Sequence, residues 1–354
     1  MKSNKILPVK YPYITSFPSH ANLISILSTN EACLPWLYNY YIQLEISRSM
    51  DPELKLDFAV GSATGHLKNC PFISFHGVSR DFIKTKWNSI PDFFIDCIDQ
   101  NYYIYLLVDV YDIPCYEAYR QWHFPHDIMV YGYDREKESF HVADFFKYNK
   151  YEYTTASFSE IEAGYRGFDS MGQGDWLEGA VLLSADNKTK SGYCRYTFDA
   201  GLAVDLIKDY LASRNSYYRN RYIQWRLDNS QWAFGLEIYK KLKEYVELVI
   251  LNEGMEFEFA FYVRSFHVLY DHKAAILKLM GYLEERGCLK DAGDLCCRYS
   301  RLKETALSIR NNMIKYVIKR DGKLLMRISD MLTGMAAEEE EIFEELVENI
   351  RVEA

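Results

Sequence analysis

Residues 108–145, VDVYDIPCYEAYRQWHFPHDIMVYGYDREKESFHVADF, decide the fold of the N-terminal part of this chain. Two strand-like runs, 127–133 (DIMVYGY) and 139–145 (SFHVADF), flank the polar turn 134–138 (DREKE), the pattern of a β-hairpin. Ahead of them, residues 102–111 (YYIYLLVDVY) are dense in aromatic and β-branched side chains and stop at Ile113-Pro114, as a buried strand does. The hairpin sets His126 at the start of one strand and Asp144 at the end of the next, 18 positions later. Such positions come side by side in an antiparallel pair, so Asp144 is expected to orient the His126 ring and stabilise its protonated form. Thiol-dependent acyl transfer uses this arrangement: the imidazole takes the thiol proton and the carboxylate fixes the tautomer.

Working outward, residues 178–184 (EGAVLLS) read as a further strand, and two helices are expected near the start, at 20–27 and 31–46. Between these helices lie Ser28-Thr29-Asn30, with Asn30 as N-cap. Beyond Asp199 the apolar residues recur three and four apart, which places helices at 199–212, 232–252, 257–286, 289–319 and 323–350. Gly287 and Asp321-Gly322 supply the breaks. The expected fold class is α+β: a domain at 1–195 with an antiparallel sheet, followed by an all-α domain at 196–354. The acidic run 338–341 continues into a stripe of Ile342, Phe343, Leu346, Val347 and Ile350, so the C-terminal segment reads as a packed amphipathic helix.

A length of 354 residues suits two domains, each able to bury a core. Aromatic content is high, with 30 Tyr and 20 Phe, and a phenol that buries its ring while keeping its hydroxyl bonded suits clefts and interfaces. Residues 334–354 hold eight Glu against one Arg, so −7 of the net charge of −9 sits there and the remainder is near neutral. Without a basic footprint, nucleic-acid binding is excluded. The eight cysteines (33, 70, 97, 115, 194, 288, 296 and 297) show no C-x-x-C pairing, which reads as reduced thiols in the cytoplasm. The N-terminus has no apolar signal region and no run of about 18 apolar residues occurs, so neither secretion nor a membrane span is expected.

The run from Val108 through Ile113-Pro114 to His126, with Gly132-Tyr133-Asp134 and Ala143-Asp144, resembles the N-terminal domain of butirosin biosynthesis protein H and its relatives. Its His-to-Asp hairpin is similar to that of papain-like cysteine peptidases, including the bacteriocin-processing ones. The resemblance implies a papain-like N-terminal domain followed by a helical one. It also implies an acyltransferase of antibiotic, nonribosomal peptide or polyketide biosynthesis. Such an enzyme moves an acyl or peptidyl group from the phosphopantetheine thioester of a carrier protein to an amine, with no cofactor. His126 and Asp144 carry over. The family opens its first helix with a His-Cys pair, whereas PSHANLISIL here reads His20-Ala21, with alanine at the thiol position.

Two residues stand as replacement nucleophiles. Cys33, three residues past Asn30, is expected in the first turn of a helix, where the free N–H groups lower a thiol pKa. The other reading of Cys33 is a small buried apolar residue beside Leu34, Trp36 and Leu37. Ser19 is the second candidate. Ser19, His20, His123 and Tyr131 are candidate substrate contacts, with His123 alternatively an exposed loop histidine and Asp109 a turn cap. No Cys/His spacing fits a zinc site, and Gly61-Ser62-Ala63-Thr64-Gly65 lacks the Lys-Ser/Thr of a phosphate loop and reads as a turn. Residues 214–232 interleave five aromatics with four arginines, suited either to a carrier protein's acidic helix and phosphate or to a solvated connector. Cys296-Cys297 reads as structural. The functional expectations are an acyltransferase using Cys33, His126 and Asp144, or a catalytically inactive papain-like binding module for a carrier protein or peptide intermediate. A cysteine peptidase ranks third.

Overall fold

Every described strand pairing is antiparallel, and together with the helices this makes the chain α+β. The computed structural model describes residues 3–49, 55–61, 64–185, 196–219, 228–251, 259–290 and 292–352. In chain order the elements are β1 (Asn4–Ile6), α1 (Pro18–Leu27), α2 (Leu34–Tyr40), β2 (Leu44–Ser47), β3 (Leu56–Phe58) and α3 (Gly65–Asn69). There follow β4 (Ile73–Val78), α4 (Arg80–Lys86), α5 (Ile90–Asp99), β5 (Tyr103–Asp109), β6 (Pro125–Asp134), β7 (Ser139–Phe145), β8 (Tyr151–Ser157), α6 (Phe158–Ser170) and β9 (Ala180–Ala185). The chain ends with α7 (Ala200–Leu211), β10 (Trp232–Phe234), α8 (Glu237–Leu251), α9 (Phe259–Glu285), α10 (Gly293–Lys319) and α11 (Gly322–Asn349). Among the described residues no helix is long and apolar enough to cross a membrane.

The chain divides into two compact units, Met1–Cys33 with Ala63–Arg195, and Leu34–Ser62 with Tyr196–Ala354. The first unit is built on a sheet of order β4-β9-β5-β6-β7-β8, with β1 also paired to β6. All seven residues of β5 are buried, as a strand covered on both faces requires. The hairpin turn closes because the Asp134 carboxylate accepts the N–H groups of Glu136 and Lys137, while Glu138 takes a left-handed φ of 48°. Along one edge of β6, residues 125–130 pair with β5 and residues 132–134 with β1. Gly132 permits the second pairing: a Cβ there would lie 2.8 Å from the Lys5 carbonyl oxygen.

In the second unit the structure departs from the sequence expectation. Residues 34–62, expected in the first domain, belong here. Nor is this unit all-helical, because β2, β3 and β10 form a small antiparallel sheet of order β10-β2-β3. The helix expected over 31–46 is a 3₁₀ turn (Glu31–Cys33), then α2, then β2. Leu44, Glu45 and Ile46 pair with β3 on one side and, with Ser47, with β10 on the other, and those cross-strand bonds win over the local helical pattern. Trp232 and its neighbours likewise form a strand, and the helix expected from 232 starts at Glu237. Gly235 makes the turn between them with a φ of 56°, where a Cβ would sit 2.1 Å from the Tyr210 carbonyl oxygen. Two assignments, the turn at 61–65 and the arginine-rich run at 214–232, fall partly outside the described residues, since 62–63 and 220–227 are not described. Cys194 is also outside them.

α11 packs against α7, α8 and α10, and α10 packs against α9. Its apolar stripe is buried at Ile342, Phe343 and Leu346, yet the preceding acidic run also sends Glu339 fully inside. One Glu339 oxygen accepts Lys273 Nζ at 2.5 Å and the Tyr299 hydroxyl at 2.5 Å; the other accepts the hydroxyls of Tyr239 at 2.6 Å and Tyr210 at 2.9 Å. Five helices thus each contribute one residue to a single buried charge cluster. The adjacent His272 donates from Nε2 to the Ile42 carbonyl at 2.8 Å, which leaves Nδ1 to accept from Lys273 at 3.0 Å. Burial, helped by Lys273, pushes the fully buried His272 down to about 3. Burial acts to raise the Glu339 carboxyl, but Lys273, His272 and the Tyr239 hydroxyl outweigh it and hold the group at about 2.

Breaking this cluster is expected to be costly. Lys273→Met leaves a buried carboxylate without its counter-charge, a loss of about 3–5 kcal/mol in urea unfolding, and adding Glu339→Gln should recover much of it. A single-variant loss below about 1 kcal/mol would show that the pair is dispensable. Both depressed groups stabilise the fold above their ordinary pKa and lose that contribution as the pH falls, between 6.5 and about 3 for His272 and between 4.5 and about 2 for Glu339. The stability gap between Lys273→Met and the wild type in urea unfolding should therefore narrow on acidification, because protonation of the unpaired buried Glu339 removes its uncompensated charge.

Candidate active site

The site grows from the order β5-β6-β7. Because the three strands are antiparallel, the end of β5, the start of β6 and the end of β7 meet at one end of the sheet. The β6–β7 register pairs Met129 with Ala143, and His126 and Asp144 lie three residues and one residue beyond that pair. His126 Nδ1 is 2.7 Å from Asp144 Oδ2. Asp144 is fully buried and also accepts the hydroxyl of Tyr116, while among the described residues its second, buried oxygen, Oδ1, has no hydrogen-bond partner. The imidazole is flanked by the rings of Phe124, 5.8 Å away, and Tyr116, 5.9 Å away. Its side chain is 23% exposed, and among the described residues nothing bonds its Nε2.

Charge decides the protonation state. Burial acts to lower the His126 pKa, but Asp144, by charge and hydrogen bond, and then Asp127 outweigh it and hold the group up at about 9. At pH 7 the ring is an imidazolium whose Nε2–H is a fixed donor. Burial and then Asp144 push the Tyr116 hydroxyl well up, so it stays protonated and donates. Asp127, which accepts the Tyr105 hydroxyl, is raised by burial against the opposing pull of His126.

α1 packs against β6 and β7, and its Ala21, the residue after His20, is fully buried. Cys33 ends a 3₁₀ turn begun by Asn30, whose side chain accepts the Ala32 N–H at 3.1 Å. The environment expected to lower this thiol does the opposite, because burial pushes it up to about 12. Ser19 is half-buried in the first turn of α1, and its backbone carbonyl bonds His66. His20 is buried against His66, ring centroids 4.5 Å apart. Tyr131 sits at the β6 bulge, buried among His141 and Tyr153.

His123 is 63% exposed, yet its Nδ1 lies 2.5 Å from Asp109 Oδ2 and its ring stacks on Tyr111 at 4.2 Å. Asp109 is a turn cap, accepting the N–H of Tyr111 and of Phe124 at 3.1 Å each, and it is fully buried as well. A second histidine–aspartate pair therefore stands beside the first. Tyr116 escaped notice because it lies in an aperiodic loop, where spacing carries no signal. Half-buried Cys115 precedes it, its thiol pushed up to about 12 by burial and by Asp144. In the arginine-rich run, Arg219 is engaged with Asp205 and Asp209. Among the described residues no three His, Cys, Asp or Glu side chains converge as metal ligands. Comparison with family models and with curated proteins returns no match to this chain.

The His126 ring is expected to titrate near 9 by NMR, and Asp144→Asn should bring it down toward the ordinary 6.5. The raised pKa stabilises the fold fully below 6.5, and that contribution disappears as the pH rises through about 9. A wild-type midpoint at or below 6.5 would mean that the imidazolium is not the resting form.

Proposed function

We propose that the first unit is a papain-like module that holds an acyl or peptidyl thioester, presented on a carrier protein, without forming a cysteine acyl-enzyme. The observation that carries this reading is a His126 imidazolium fixed by the buried Asp144, with no bond to its Nε2 among the described residues, and a buried alanine in the first helix at the place where the resemblance would put a thiol. An N⁺–H donor left unbonded on a partly exposed ring suits an oxygen bearing partial or full negative charge, such as a thioester carbonyl or a carboxylate. Phe124 and Tyr116 flank that donor and suit the adjoining acyl chain. The thiols support the same reading. Burial pushes Cys33, Cys70, Cys97 and Cys115 each up to about 12, far from the thiolate that covalent catalysis needs.

The fold-level part of the proposal rests on the packing of α1 against a hairpin that ends in His126 and Asp144. The setting proposed is the cytoplasmic biosynthesis of an antibiotic or related nonribosomal or polyketide product. An acyltransferase working through Cys33 would need the thiol to surface and lose its proton, against the burial that surrounds it.

Intact-protein mass spectrometry with S-acetylpantetheine should show no acyl adduct, while NMR titration with the same compound shifts the His126 ring resonances. Replacing the charge-assisted bond through His126→Gln should weaken that binding about tenfold or more. A stable adduct that maps to Cys33 and vanishes in Cys33→Ala would restore the cysteine enzyme and sink the module.

A further inference from the structure

We propose that the first unit carries a second ligand site, a cavity between α4, the start of α5 and the end of α6 that takes an aromatic ring bearing a phosphate or carboxylate. The cavity holds about 350 Å³, within the range of small-molecule pockets. It shares no lining residue with the His126 region and does not depend on the binding reading above. Its wall follows from the local sequence. α4 ends at Lys86, and Ser89 caps α5 by accepting the Asp92 N–H at 3.2 Å, so residues 87–89 form a tight connection between the two helices. Trp87 in that connection is held by its Nε1–H on Asp96 at 2.9 Å and by the Phe93 ring, 4.8 Å away. On α6, residues 165, 166, 169 and 170 fall at helical spacing on one stripe, which lines the opposite side.

The ion pairs around the cavity balance in charge but not in spare hydrogen-bonding capacity. Asp169 Oδ1 takes Arg80 Nη1 at 3.1 Å, and Oδ2 faces Lys84 Nζ at 2.9 Å. Asp175 takes Arg80 Nε at 2.8 Å, and Glu162 Oε1 takes Arg166 Nη2 at 2.7 Å and Nε at 3.2 Å. The carboxylates are thus occupied. Lys84, by contrast, has N–H groups beyond its one pair, and among the described residues Arg166 Nη1 has no partner. These side chains are 49% and 68% exposed, so both can turn their remaining donors onto a ligand. Ser89 and Ile90 bring the N-terminal end of α5 to the same cavity, and its dipole adds to the two cations. An excess of charged donors over free acceptors selects an oxyanion.

The innermost lining selects the ring. Tyr165 and Ile90 are 1% and 5% exposed, and half-buried Trp87 adds a third apolar surface. Arg80 lies over the Tyr165 ring at 4.4 Å and holds it in place. The Tyr165 hydroxyl is buried, and among the described residues it has no hydrogen-bond partner. An unpaired buried hydroxyl costs free energy, and in the proposed complex a ligand oxygen accepts from it and removes that cost.

The test uses the full chain with phenyl phosphate and benzoate, set against inorganic phosphate and benzyl alcohol. Binding is followed by calorimetry and by the Trp87 indole N–H signal in NMR, assigned through Trp87→Phe. At least one aromatic oxyanion should shift that signal and bind about tenfold more tightly than inorganic phosphate or benzyl alcohol. Lys84→Met and Arg166→Met, both on exposed side chains, should each weaken binding about tenfold. Tyr165→Phe should weaken it while leaving the urea midpoint unchanged or raised, and His126→Gln should leave it unchanged. Absence of heat and of a Trp87 shift at millimolar ligand overturns the site, as does equal affinity in the wild type and in the Lys84→Met, Arg166→Met double variant. Inorganic phosphate binding as tightly as phenyl phosphate with Trp87 unmoved also overturns it, because that marks contact with the cations alone. Whether S-acetylpantetheine shifts the His126 resonances is decided separately from each of these outcomes.

Discussion

The hydrogen-bonding of β6 to three neighbours constrains the first unit more than any other interaction. Its ten residues pair with β7 along one edge and with β5 and then β1 along the other. A slip of one residue in either main register would turn every side chain of β6 to the other face. It would part His126 from Asp144 and also move the loop that brings His123 to Asp109. The ladder bonds that build the sheet thus set the geometry of both pairs.

Both units bury charge, and the way each is satisfied separates architecture from chemistry. Glu339 uses both oxygens, each with two donors, and none of Lys273, His272 and Glu339 reaches solvent. A closed network of that kind holds five helices in one arrangement and has nothing left to offer a ligand. Asp144 is satisfied on one oxygen only, and its partner His126 keeps an edge open to solvent. Incomplete satisfaction at a buried group costs free energy, and at Asp144 it coincides with a partly exposed partner, which the Glu339 cluster lacks.

Much of this was legible locally. Period-two patterning and a polar turn gave the hairpin, and with it the meeting of His126 and Asp144, because strand alternation and turn composition act over a few residues. The spacing of apolar residues likewise gave most of the span of α7 and α9 to α11. Three features were not legible. Residues 44–47 and 232–234 carry patterns compatible with helix, and their pairing with each other, and of 44–46 with β3, made them strands. Glu339, within four consecutive glutamates, looks like a solvated face until Lys273 and three tyrosines from other helices surround it. Asp109 reads as a turn cap, which it is, but its bond to His123 depends on how the intervening loop returns.

Sequence alone therefore determined the α+β class, the hairpin and the residues at its open end, since these follow from periodicity and chain-local sterics. The tertiary structure decided the protonation state and availability of each group: an imidazolium at His126, a neutral buried thiol at Cys33 and a second oriented imidazole at His123. The physical reason is that a pKa and a hydrogen-bond partner depend on the dielectric and charges contributed by residues far apart in the chain, and no local pattern encodes what will cover a side chain once the elements pack.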